Sequence, residues 1–158
     1  MELEEENKRL EKLCDNLDEL TMKQADLVDE QLKLMSNVSR LLTSGFIDLA
    51  KSRYINGEKT VSTTQIPGED SDIEAVTTTS RDSTNTLTLL RNEEGNDPIK
   101  WFGVLVPSSL RQSQQTFRKA IEIAIEVINI RREWLESIAE YQTLSDLKSS
   151  SYGKPEHC

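Results

Sequence analysis

The sequence predicts an all-α protein in which two long helices form an antiparallel coiled-coil hairpin, joined by a long, largely disordered acidic Ser/Thr-rich linker. Three observations lead to this prediction. Apolar residues recur at heptad spacing in the N-terminal third and at a 3.6-residue period in the C-terminal third. The stretch between them is polar and has almost no aromatic content. Of the 158 residues, 35% are hydrophobic and 5% aromatic, so we do not expect a large compact core.

The first segment, residues 1–56, is predicted to be one coiled-coil helix. Leucine occupies five successive heptad positions, namely Leu13, Leu20, Leu27, Leu34 and Leu41. Gly45 interrupts the heptad pattern, but helical spacing of apolar residues resumes beyond it to about Ile55. Asn56-Gly57 predicts the end of the helix. The residues before the heptads are acidic, which excludes a DNA-binding leucine zipper.

The second segment, residues 57–97, is predicted to be a disordered acidic linker. It contains thirteen serines and threonines and nine acidic residues. Such a composition buries too little apolar surface to offset the entropy lost on ordering. Residues 59–61 and 86–90 have strand-like composition, so a short β-hairpin remains an alternative for part of it.

The third segment, residues 98–152, begins with an apolar run between two prolines, Pro98-Ile99-Lys100-Trp101-Phe102-Gly103-Val104-Leu105-Val106-Pro107. We interpret this run as a plug that closes the open end of the helical hairpin. A second helix is predicted from near Ser109 to residues 149–151, and residues 153–158 form a tail. The 41-residue linker would span roughly 35 Å if flexible, which is short beside a first helix of about 80 Å and therefore favours antiparallel pairing.

The charge and the motif content exclude several classes of function. A net charge of −9 argues against nucleic acid and against direct adsorption on anionic lipid. No apolar run approaches the roughly 20 residues of a membrane span, so no direct membrane insertion is expected. The N-terminus lacks the apolar region of a secretory signal, which predicts a cytoplasmic protein. With two cysteines, a single His157 and none of the known catalytic motifs, we expect no catalytic residue, no metal and no cofactor, and hence no enzyme.

Recognition of a partner is therefore the expected activity, and the junction of the plug with the helices is its expected place. Aromatic residues and arginine dominate the energetics of protein interfaces. Antiparallel pairing would place the plug near the end of the first helix. The candidate partner-binding residues are Trp101, Phe102, Arg111, Phe117, Arg118, Arg53 and Tyr54.

Two blocks of sequence resemble a known family. Residues 97–112, continuing to Phe117-Arg118, and residues 45–54, followed by Gly57, resemble the coiled-coil V-ATPase assembly factors of the endoplasmic reticulum. The blocks cover about forty of the 158 residues, and the W-F-G-x-L-V-P run followed by S-L-R-Q is their most specific part.

The resemblance implies a non-catalytic chaperone that is needed for acidification of vacuoles and lysosomes. Its partners would be a small two-span membrane assembly factor of the endoplasmic reticulum and, transiently, subunits of the proton-translocating membrane sector of the vacuolar ATPase. It would lie on the cytosolic face of the endoplasmic reticulum through its membrane partner, or also on later secretory or endolysosomal compartments. Two other functions fit the helix–linker–helix pattern: a prefoldin-like co-chaperone whose linker forms oligomerising β-hairpins, and a homodimeric coiled-coil tether or scaffold.

Overall fold

The computed structural model of the protein describes residues 2–57, 59, 61–68, 71–92 and 94–151. The predicted tail, with His157 and Cys158, lies outside the described residues. The elements in chain order are helix α1 (Glu2–Asn56), a 3-10 helix (Thr63–Gln65), strands β1 (Thr77–Arg81) and β2 (Leu87–Arg91), a second 3-10 helix (Pro98–Phe102) and helix α2 (Ser108–Ser151). Contacts divide the chain into two units. Unit 1 contains Met1–Lys33 and Ile130–Cys158, and unit 2 contains Leu34–Asn129.

The predicted fold class is wrong in two respects. The structure is not all-α, because β1 and β2 form a two-stranded antiparallel sheet. The described part of the linker is also not disordered, since it contains the first 3-10 helix and both strands. Residues 86–90 do have the strand-like character that composition indicated, and β2 pairs with Thr77–Arg81. Thr60, in the other strand-like stretch, lies outside the described residues.

In unit 1, segments of α1 and α2 pack antiparallel. The Gln24 side chain donates a hydrogen bond from Nε2 to the carbonyl oxygen of Ser137 at 3.1 Å. The Lys23 ammonium lies 3.0 Å from a carboxylate oxygen of Glu133. That pair is half exposed and contributes little to stability. Burial of heptad leucines such as Leu27, which is 8% exposed, is the main source of stability in this unit.

In unit 2, α1 continues through Gly45 without a break, and small residues bring it close to α2. The Ser113 hydroxyl donates to the Gly45 carbonyl oxygen at 2.8 Å. The hydroxyls of Ser52 and Ser109 share a hydrogen bond of 2.7 Å. Gly45 and Ser52 lie seven and fourteen residues after Val38, at the second heptad position of α1, so the heptad pattern persists where its residues change from large and apolar to small. The core of this unit also contains the buried side chains of Val61, Leu110, Ala120 and Ile125.

The β-hairpin of unit 2 is formed by a polar turn and is held to α2 by Asn129 and by the ion pair of Arg91 with Glu122. Asp82 Oδ1 accepts the backbone N–H groups of Thr84 and Thr86 at 2.9 and 2.8 Å, and Asn85 takes a left-handed conformation with φ of 62°. On α2, Asn129 accepts the N–H of Leu87 at 2.8 Å and donates to its carbonyl oxygen at 2.9 Å. Its amide thus satisfies both backbone groups of a residue in β2, as a neighbouring strand would.

The helices that the structure describes include none that is long and apolar enough to cross a membrane.

Candidate functional site

The candidate site is an apolar cavity of about 480 Å³ in unit 2. Its walls come from α1, from the segment that precedes β1, from the 3-10 helix Pro98–Phe102 and from the first four turns of α2. Its volume falls within the about 300–1,000 Å³ typical of binding sites. The apolar side chains that line it are those of Leu49, Ile73, Ala75, Val76, Pro98, Ile99, Trp101, Phe102, Leu110, Phe117 and Ile121.

One wall of the cavity is the 3-10 helix Pro98–Phe102, whose two ends are set by local chemistry. Asp97 caps its first turn, where Oδ1 accepts the N–H of Ile99 at 3.1 Å. Proline at the first position suits a helix start, because its missing N–H would have no partner there. Gly103 ends the helix with φ of 98°, a conformation that other residues rarely adopt. Trp101 and Phe102 are therefore held in a short rigid turn beside the cavity.

Asp97 also ties this turn to α2. Its Oδ1 accepts a hydrogen bond from Gln114 Nε2 at 2.6 Å, and its Oδ2 lies 3.2 Å from Arg118 Nη2. Partial burial is the largest single effect on the pKa of Asp97 and raises it. The hydrogen bonds from Ile99 and Gln114, together with the charge and hydrogen bond of Arg118, outweigh that effect and hold the pKa below its ordinary value. Asp97 is therefore ionised at neutral pH.

The position of Phe117 in the cavity wall depends on a glycine in α1. A Cβ atom at Gly45 would lie 2.7 Å from Phe117 Cε1, so the ring occupies space that only glycine leaves free. The adjacent Phe46 packs edge-on against the same ring, with centroids 5.1 Å apart.

The structure brings four of the seven predicted partner-binding residues together. Trp101, Phe102, Phe117 and Arg118 all line the cavity, and so does Leu49 of α1. The other three predicted residues, Arg53, Tyr54 and Arg111, are exposed and do not line it. Arg118 is engaged by Asp97, so its guanidinium positions the 3-10 helix in this structure. Whether these seven residues bind a partner stays a prediction.

Sequence reasoning missed three residues that shape this region: Gly45, Asp97 and Asn129. Gly45 was interpreted as an interruption of the heptads, although its place one heptad step after Val38 was a usable signal. Asp97 before a proline is a common start for a helical turn and could have been recognised as a cap. Nothing in the sequence around Asn129 indicated that it would anchor a strand.

The cavity can bind an apolar group. Its walls are mostly hydrocarbon, and the Arg118 charge is already paired with Asp97. No cluster of three or more His, Cys, Asp or Glu that could hold a metal ion occurs among the described residues. Fold and cavity together define a helical protein with an apolar recognition site, suited to a hydrophobic side chain or a helix face.

Comparison with known proteins shows which family this chain resembles. A model of the Vma22/CCDC115 family matches residues 62–120. Three relatives each carry the name vacuolar ATPase assembly protein VMA22. The mouse protein is 27% identical over 167 residues, covering 85% of this chain and 87% of its own. The bovine protein is 26% identical over 133 residues, covering 65% and 74%. The zebrafish protein is 34% identical over 61 residues, covering 39% and 30%.

These matches confirm the resemblance to the V-ATPase assembly factors that the two blocks of sequence indicated. The matched residues 62–120 include one of those blocks, residues 97–112.

Proposed function

We propose that the protein acts by binding, without catalysis, in the assembly of the vacuolar ATPase. One observation carries the proposal. The segment matched by the family model, residues 62–120, supplies every residue that lines the cavity except Leu49 and Ile121. The part of the chain that the family model matches is thus the part that builds most of the apolar recognition site.

The proposal extends to the stage of assembly and to the partners. The protein would bind a small two-span membrane assembly factor at the cytosolic face of the endoplasmic reticulum and act on the membrane sector before the pump is complete. Loss of the protein would then impair acidification of vacuoles or lysosomes. An apolar cavity supports this role, because subunits of a membrane sector present apolar helices before they are assembled.

Complementation of cells that lack the protein tests the proposal. We expect null cells to lose assembled membrane sector and organelle acidification, and the wild-type chain to restore both. Ile99→Asn places a polar amide in the cavity wall and should restore neither, although it should stay folded because Ile99 is only half-buried.

Leu90→Asn is the matched control, since Leu90 is an exposed residue of unit 2 that does not line the cavity. It should restore both functions fully. A normally assembled membrane sector and normal organelle pH in null cells would refute the proposal. Full rescue by a well-folded Ile99→Asn protein would show that the cavity is not needed for the proposed function.

A prefoldin-like co-chaperone is the second candidate, favoured by the ordered β-hairpin. That function requires hairpins that associate between copies, and β1 is an edge strand with mostly exposed side chains. Light scattering of the full chain and of a form without residues 58–96 would distinguish the two functions. An oligomer that depends on these residues, together with a loss of strand signal in circular dichroism, would favour the co-chaperone. A homodimeric tether would need the heptad face of α1 to pair with α1 of another copy. Within each unit that face packs against α2 of the same chain.

A further inference from the structure

Four large apolar side chains are exposed at one end of the helix segments in unit 2. We call them the apolar tip: Tyr54, Ile55, Val104 and Leu105. Tyr54 is 91% exposed, Val104 94% and Leu105 93%. The hydrogen bond between Ser52 and Ser109 places both parts of the tip at the same end, since Tyr54 follows Ser52 by two residues and Leu105 precedes Ser109 by four. Apolar side chains exposed together in this way mark an interaction surface.

The residues around the apolar tip are basic. Lys51, Arg53, Lys59, Lys100 and Arg111 are all exposed. Residues 48–59 and 97–111 carry these five bases and three acids. Asp97 pairs with Arg118, a sixth base, at 3.2 Å, and Asp48 pairs with Lys51 at 3.5 Å, so the excess charge is carried by Arg53, Lys59, Lys100 and Arg111. The tip is therefore surrounded by an excess of positive charge.

We infer that the apolar tip adsorbs on an anionic membrane surface. Leucine, valine, isoleucine and tyrosine side chains at the end of a rigid support enter the boundary between headgroups and acyl chains, and basic residues beside them attract anionic lipid. The chain's net charge of −9 argued against such binding. That charge resides elsewhere in the sequence, since residues 1–30 alone carry eleven acids and four bases. Screening at physiological ionic strength limits electrostatic attraction to about 8 Å, so the local charge of the tip governs its contact with a surface.

Charge complementarity favours lipid over a protein groove as the occupant. A purely apolar partner surface would leave the four bases Arg53, Lys59, Lys100 and Arg111 without counter-charges from that partner. A bilayer with anionic headgroups offers an apolar interior and negative charge at the same surface. The inference goes beyond the proposed function. Adsorption on pure lipid requires neither a membrane partner nor the ATPase.

Co-sedimentation of the purified full chain with vesicles tests the inference. Vesicles of phosphatidylcholine with about one-third phosphatidylserine should bind at least about fivefold more protein than vesicles of phosphatidylcholine alone. The double variant Val104→Asp/Leu105→Asp should lower that binding at least about tenfold. Both side chains are almost fully exposed, so the variant should keep its fold, as circular dichroism would show. Met22→Asp, at an exposed apolar residue of unit 1, is the matched control and should bind as the wild type does.

Two further variants separate the contribution of the basic residues from the insertion of the apolar side chains into the bilayer. Lys100→Glu/Arg111→Glu should lower binding to the anionic vesicles at least about tenfold and leave binding to neutral vesicles unchanged. Leu105→Trp should show a blue-shifted emission and quenching by brominated lipid on anionic vesicles, and Met22→Trp should show neither.

Equal binding of the wild-type chain to both kinds of vesicle, or binding to neither, would overturn the inference. So would an equal loss of binding in the Val104→Asp/Leu105→Asp and Met22→Asp variants. If the wild-type chain ignores vesicles but Val104→Asp/Leu105→Asp fails to complement null cells, the tip docks on a protein. The membrane inference is then wrong, while the proposed role in assembly stands.

Discussion

The ring of Phe117 lies against the backbone of Gly45, at a distance that leaves no room for a Cβ atom. A Cβ at Gly45 would meet three ring carbons at 2.7, 2.9 and 3.0 Å. The Gly45 carbonyl also accepts the Ser113 hydroxyl at 2.8 Å. One residue without a side chain thus allows α1 to approach α2 in unit 2 and fixes an aromatic wall of the cavity.

Gly45→Ala should therefore destabilise the protein, although alanine is the better helix former. In an open helix position the change would add about 1 kcal/mol of stability. Overpacking against Phe117 should cost about 1–3 kcal/mol of stability, which at least cancels the gain in helix propensity and at the upper end makes the variant less stable than the wild type. Urea denaturation measures the result, with Ser44→Ala as an exposed neighbour for comparison. In a Phe117→Leu background the penalty should shrink, and an unchanged penalty there would show that the ring is not its cause.

Leu27→Asp should destabilise unit 1 strongly. Leu27 is 8% exposed, so the change removes buried hydrocarbon and places a carboxylate in a buried position. We expect a loss of at least about 3 kcal/mol and a fall in helicity, measured by thermal melts in circular dichroism. Met22→Asp, on the exposed face of the same helix, should change little. Matching melting curves for the two variants would mean that the heptad face is not the packed face.

Asn129→Ala should loosen the attachment of the β-hairpin to α2 while leaving both helices formed, since the ion pair of Arg91 with Glu122 remains. Two hydrogen bonds to Leu87 are lost, at about 0.5–1.5 kcal/mol each. Hydrogen exchange of the Leu87 amide should accelerate by about one to two orders of magnitude, and helical amides should keep their protection. Glu126→Ala, one turn away on α2, serves as the control. Unchanged exchange at Leu87 would show that other contacts hold the strand.

Trp101→Ala should lower stability less than the loss of a fully buried tryptophan does. Its side chain lines the cavity but is only half-buried. We expect a cost of about 1–3 kcal/mol, compared with about 3–5 kcal/mol in a closed core. Partner capture by the folded variant should also weaken, because the exposed half of the ring is available for contact. Denaturation and pull-downs run in parallel would separate the two effects. Normal capture by a folded variant would assign Trp101 to structure alone.

The ionised Asp97 should make stability depend on pH in a defined direction. The pKa of Asp97 in the folded protein is lowered from its ordinary value of 3.8. Its ion pair and cap therefore stabilise the fold fully above that value, and the contribution disappears as the pH falls through the lowered pKa. The stability gap between the wild type and Asp97→Asn should be widest near pH 6 and should narrow as the pH falls below 3.8.

Asp146→Asn, an exposed change of the same chemistry, is the comparison for that titration and should show a small gap at every pH. Urea denaturation from pH 2.5 to pH 6 supplies the data. A gap for Asp97→Asn that stays constant across this range would mean that the carboxylate charge contributes nothing to the cap.

How far the sequence predicts this protein depends on whether a feature is local or periodic. The heptad leucines indicated the first helix, which ends in the structure at Asn56, the residue where the stop signal begins. A second helix was expected from near Ser109, and α2 begins at Ser108. The disordered linker was the main error. Its composition was read as unable to bury apolar surface, but the hairpin is held by the turn at Asp82 and by Asn129, and neither depends on hydrophobicity.

The candidate site divides in the same way. Trp101 and Phe102 could be selected from the sequence because aromatic residues in a run between two prolines are recognisable as anchors, and Phe117 because the family resemblance continues to it. That they line one cavity together with Leu49, Ile73 and Val76 could not be predicted from the sequence. The sequence by itself determined the two helices and the resemblance to V-ATPase assembly factors, since both reside in patterns of neighbouring residues. Only the tertiary structure decided that the linker forms an ordered hairpin, that the cavity exists and that Arg118 pairs with Asp97. Each of these rests on single contacts between distant residues, for which no periodicity exists.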